Sequence, residues 1–153
     1  MNESFRRRAL VLSVALVTGC GADKMTPVPI QPGTPCAFCR MTIGDTHFGG
    51  EVVAPGEEPR QYDDIGCLAD DLRKRPPAAE ARVFVADYAT GALVPGATAV
   101  YSRVETIETP MMSHVVAHAD ESGRVRDVRV HAGVKQAVGD VFGDALPGAA
   151  DGR

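Results

Sequence analysis

Prolines at 27, 29, 32 and 35 occupy four of nine consecutive positions, and that run decides where a compact fold can begin. Proline fixes φ and lacks an N–H, so such a stretch favours extended polyproline backbone, rising about 3 Å per residue. Residues 20–35 therefore read as a tether, and one domain is expected over residues 36–142. The 153-residue chain is 44% apolar and 24% charged, ordinary globular material. It has no Trp and only 5% aromatic residues, so its core must rest on Val, Ala, Leu and Ile. The tail "GDALPGAADGR", 143–153, is expected to be disordered.

Ahead of the tether, Arg6, Arg7 and Arg8 precede the short apolar run "ALVLSVALV". That pattern is a signal peptide over 1–19, too short for a stable membrane span. The run ends in "VTGC", a bacterial lipobox, so Cys20 is expected to carry lipid and to begin the mature chain. Acyl chains on Cys20 would anchor the protein to the cell envelope, facing the periplasm. Without residues 1–19, the 16 basic and 20 acidic residues fall to 13 and 19, a net charge of about −6. That balance argues against nucleic acid as a partner. Lipidation of Cys20 leaves Cys36, Cys39 and Cys67, an odd number for an exported chain, where thiols tend to pair.

Within the domain, "THFGGEVVA" (46–54) and "RQYD" (60–63) read as strands around a turn-rich "PGEEP". "DDIGCLADDLRKR" (63–75) predicts a helix capped by Asp63 or Asp64, with Ile65, Leu68 and Leu72 inward and three cations before Pro76. "ARVFVADY" (81–88) reads as a buried strand, giving β-β-α-β for the first half. In the second half, 98–105, 113–119 and 123–130 read as strands, and 132–142 has helical spacing.

The sulfur-bearing residues cluster. Cys36 and Cys39 have CxxC spacing, and on an extended segment Cys39 and Met41 would point the same way. Cys67 falls in the first helical turn, where the dipole favours a thiolate. Met111 and Met112 lie in "TPMMSH", with His114 and His118 close by. Covalent haem needs CxxCH, and position 40 is Arg. Zinc could take Cys36, Cys39, Cys67 and a His, but gives no reason for the methionines. A thiol–disulfide oxidoreductase using Cys36 and Cys39 is the runner-up, although a proline tether stands where such a fold needs its opening strand. Cu(I), soft and content with two or three ligands, accounts for thiols and thioethers together.

The ordered series of lipobox, "CAFCRM", "YDDIGCL", "FVADYATG" and "TPMM" resembles the NosL family of copper-binding lipoproteins that assist nitrous-oxide reductase. The resemblance runs from Cys20 to about Ala119. It implies an α+β fold of two β-β-α-β units, the second shortened here because "DESGRVRDV" leaves little room for a helix. It also implies Cu(I) binding and delivery without catalysis. The family's Cys-x-x-Cys-Gly-Met falls on Cys36, Cys39 and Met41, its helix start on Tyr62, Asp63 and Cys67, and its Pro-Met-Gly loop on Pro110 and Met111. Arg40 and Met112 stand where the family carries Gly.

The reading is a membrane-anchored Cu(I) metallochaperone, not an enzyme, serving nitrous-oxide reductase or another exported copper enzyme. Cys39, Met41 and Met111 are the leading ligands. Cys36 is a fourth or the first to meet the metal, Met112 and His114 are local variations, and Cys67 is an accessory thiol.

Overall fold

The computed structural model describes residues 25–147, so the expected signal peptide, the expected lipidation site at Cys20, the first part of the expected tether and the end of the tail lie outside the described residues. The fold is α+β, built on two antiparallel sheets. The first has strands β1 (Gly50–Val53), β2 (Arg60–Tyr62), β3 (Arg82–Ala86) and β4 (Leu93–Pro95) in the order β2-β1-β3-β4. The second has β5 (Val100–Arg103), β6 (Val115–His118) and β7 (Val134–Gln136) in the order β6-β5-β7. Helix α1 (Ile65–Lys74) stands between β2 and β3, and α2 (Glu121–Arg126) between β6 and β7. Each half is thus β-β-α-β with its first strand central, and a short α3 (Val138–Phe142) follows. A parallel bridge from Asp87 to Ala117 joins the two sheets.

Helix α1 forms as its sequence dictates. The Asp64 carboxylate caps it, accepting from Gly66 N–H at 2.6 Å. Ile65, Leu68 and Leu72 are fully buried, each side chain contributing about 1.5–3 kcal/mol by leaving water. Arg73 and Lys74 meet the negative end of the dipole, and Pro76 follows the C-cap Arg75. Asp71 is fully buried, although its neighbour Asp70 is exposed. It accepts from Tyr62 Oη at 2.6 Å, Arg60 Nη1 at 2.8 Å and Arg75 Nε at 2.7 Å, tying the helix end to β2.

Four details depart from expectation. The packed region begins before Cys36: Ile30 is buried, and Val28 N–H donates to the buried Glu51 carboxylate at 2.8 Å. At the other end, beyond α3, Leu146 is buried in the main core. Residues 123–130 are not a strand; α2 and a 3₁₀ turn (Val128–Val130) occupy them. The apparent alternation misled because Val125 and Val128 are exposed and only Val130 is buried, while Asp120 and Asp127 supply caps. The helix expected over 132–142 divides into β7, paired to β5, and α3.

Candidate metal centre

The Cys-x-x-Cys stretch is the tip of a small hairpin. Pro35 bridges Thr42, Gly33 N–H donates to Ile43 O, and Ile43 N–H donates to Thr34 O, both at 2.8 Å. At the tip Cys36 N–H donates to Met41 O at 2.8 Å, and Arg40 N–H donates back to Cys36 O at 3.1 Å. Arg40 takes φ 68°, a left-handed conformation that costs a non-glycine residue about 1–2 kcal/mol. The segment is therefore not extended, and the expected shared direction of Cys39 and Met41 is lost. Cys39 is half-buried and donates its S–H to Asp63 Oδ2 at 3.5 Å, whereas Met41 is 55% exposed.

The start of α1 lies against this hairpin and completes a cluster. One sulfur each from Cys36, Cys39 and Cys67 and one carboxylate oxygen of Asp63 all lie within 4.8 Å of one another, an arrangement that could hold a metal ion. Cys36 and Cys67 are buried, and all three are free thiols. Burial pushes the Cys39 thiol up. Burial, then the neighbouring Cys36 thiol and the Asp63 carboxylate, pushes Cys67 well above the ordinary thiol range. The helix dipole expected to favour a Cys67 thiolate is outweighed by desolvation. Such thiols become good ligands once a metal displaces their protons.

The two consecutive aspartates at the helix start divide the work. Asp63 faces the thiols. Asp64, fully buried, caps α1 with Oδ1 and accepts the backbone N–H of Met111 with Oδ2 at 2.9 Å. That second bond draws the Thr109–His114 loop of the other half-domain onto the helix. Gly66 permits the approach, because a Cβ there would lie 2.7 Å from Ser113 Cβ. Met111 and Cys67 line the same cavity of about 360 Å³, together with Phe38 and Arg73.

Met111 and Met112 are 42% and 56% exposed, and Met112 has φ 57°. His114 stands apart from the thiol cluster: its Nδ1 lies 2.9 Å from Ile107 O and its Nε2 3.9 Å from Glu105 Oε2. The structure thus brings Cys36 and Cys39 together with Cys67, expected only as an accessory, and places Met111 on a cavity that Cys67 lines and Cys36 and Cys39 do not. Asp63 was missed as a possible ligand. Its one sequence signal is the Asp63-Asp64 pair itself, since a helix needs a single N-cap. Compared with known proteins, the chain matches no family model, no curated protein and no solved structure.

Proposed function

We propose that the protein is an exported, lipid-anchored Cu(I) metallochaperone of the NosL kind, handing copper to nitrous-oxide reductase or another periplasmic copper enzyme and catalysing no covalent reaction. The observation that carries this reading is the convergence of three thiols and Asp63 beside a loop of exposed methionines. Soft Cu(I) takes two or three sulfur ligands, so three thiols suffice to hold it. Met41, Met111 and Met112 offer ligands that need lose no proton. A large apolar side chain left about half in water serves no core, and of these three Met111 lines the cavity that Cys67 also lines. Arg40 and Met112, which replace glycines of the family pattern, both have positive φ, the conformation glycine takes freely. The paired β-β-α-β topology agrees with the same family pattern.

The disulfide-exchange alternative fits less well. Cys36 has no exposed surface, Cys39 is shifted away from the thiolate, and a third thiol shares the site. A structural zinc has one specific observation in its favour: Asp63 would complete a four-ligand set. Anaerobic titration with Cu(I) against a competing chelator separates these. Wild type is expected to bind one Cu(I), and the Cys39→Ser, Met111→Ala double variant to bind far more weakly. Equal binding by the two proteins, or Zn²⁺ held through chelation with no dependence on Met111, refutes the copper reading.

A further inference from the structure

Four cations stand around the thiol cluster: Arg73 and Arg75 are paired with Asp70 and Asp71, and Arg40 and Lys74 are not paired among the described residues. Arg40 belongs to the hairpin tip itself and is exposed. Lys74 lies over the Phe38 ring, 4.7 Å from its centroid, and Arg75 Nη2 donates to Ala37 O at 3.1 Å. Arg73 lines the cavity shared by Cys67 and Met111. Among the described residues, neither Arg40 nor Lys74 has a carboxylate partner. Of the acids nearby, Asp63, Asp64 and Asp71 are buried, Asp70 pairs with Arg73, and Asp140, which lines the cavity, accepts the Ala137 N–H. Yet the whole chain carries a net charge of −4. Two uncompensated positive charges, Arg40 and Lys74, therefore stand beside the half-buried Cys39 on a chain that is acidic as a whole. Cations at a helix C-terminus are ordinary, but that does not explain Arg40, which sits at a strained left-handed position and makes no ion pair among the described residues.

We infer that this collar, whose uncompensated charges are Arg40 and Lys74, is a docking face for an acidic protein surface that carries a copper ligand. The inference rests on the Cu(I) reading above and names the chemistry of the partner. An acidic face would be steered to the collar and oriented so that its ligand meets the half-buried Cys39. Cu(I) then passes by ligand exchange with its oxidation state unchanged, and the thiolates it leaves take up protons from solvent.

The test uses two synthetic peptides with the same Met- and His-containing Cu(I) motif, one flanked by Glu and the other by Lys. Copper transfer from the loaded full-length protein is followed by stopped flow. At low ionic strength the Glu-flanked peptide is expected to draw copper about tenfold faster than the Lys-flanked one. That ratio should collapse toward one in about 0.5 M salt, and also in K74E and in the R40E, K74E pair. Rates blind to peptide charge, or a ratio unchanged in the variants, overturn the inference while leaving Cu(I) binding intact. Failure of wild type to load Cu(I) overturns the metallochaperone reading and this inference with it. If phosphatidylglycerol vesicles shield the thiols from alkylation, and R40E, K74E abolishes that shielding, the collar is a lipid-facing surface and the proposal fails.

Discussion

Asp64 and Met111, 47 residues apart, are joined by a 2.9 Å hydrogen bond from the methionine's backbone N–H to a buried carboxylate oxygen. The other oxygen of that carboxylate caps the helix that carries Cys67. One side chain thereby sets how far the thioether of one half-domain stands from the thiols of the other.

Removing that joint should be measurable. Asp64→Ala loses the cap and leaves the Met111 N–H unpaired, at a cost of about 2 kcal/mol in a urea melt. The Asp64→Asn variant keeps one acceptor oxygen and is expected to lose less. An unchanged midpoint in Asp64→Ala would show that the joint holds nothing.

Cys67 is the thiol whose importance changed most between sequence and structure. Cys67→Ser is expected to weaken Cu(I) binding at least about tenfold, or 1.4 kcal/mol, in competition with a chelator. His114→Ala should leave the affinity where it is, since the ring is occupied by Ile107 and Glu105. The reverse ranking would return the site to the Met-His loop.

Arg40→Gly relieves a left-handed non-glycine residue costing about 1–2 kcal/mol, against about 0.5–1 kcal/mol of extra chain entropy in the unfolded state. A net gain of up to about 1.5 kcal/mol is expected, raising Tm by up to about 6 °C. A fall in Tm would mean that Arg40 earns its position through contacts the fold depends on. By the inference above, the same variant should transfer copper more slowly to an acidic acceptor, separating stability from docking.

The second half-domain has its own pH signature. Two hydrogen bonds from the Arg129 guanidinium, with His118 adding a third, hold the Asp127 carboxyl below the ordinary aspartate range despite its burial. A depressed carboxyl stabilises the fold above its unfolded pKa, and that contribution disappears as pH falls through the folded value. Wild-type Tm should therefore drop on acidification below about pH 4, and Asp127→Asn should show a shallower drop from a lower neutral value. Parallel Tm profiles for the two proteins would assign the acid loss elsewhere.

How much was legible in the sequence follows from element length. Helix α1 has ten residues, a cap, a clear apolar spacing and a terminating proline, so its own signals suffice. Strands β1, β2 and β3 were recognisable from alternation and turns. Strands β4 and β7, three residues each, and the six-residue α2 are held by caps and distant partners, which leave little periodicity to read. The Cys36–Cys39 pair was legible because its spacing is local. The places of Cys67 and Asp63 were not, because their approach depends on how the hairpin folds against α1.

The two β-β-α-β halves share a topology but not a task. Helix α1 buries six residues and supplies a thiol, whereas α2, its counterpart, buries none. Helix α2 is accordingly easier to loosen than α1, since local opening follows the poverty of buried contacts, whereas β5 and β6 share one core with the first half. Breaking the Asp64–Met111 bond would free the thioether to move while the three sulfurs of the first half stay assembled. On the Cu(I) reading proposed above, the methionine would then be the ligand let go first and the cysteines the last.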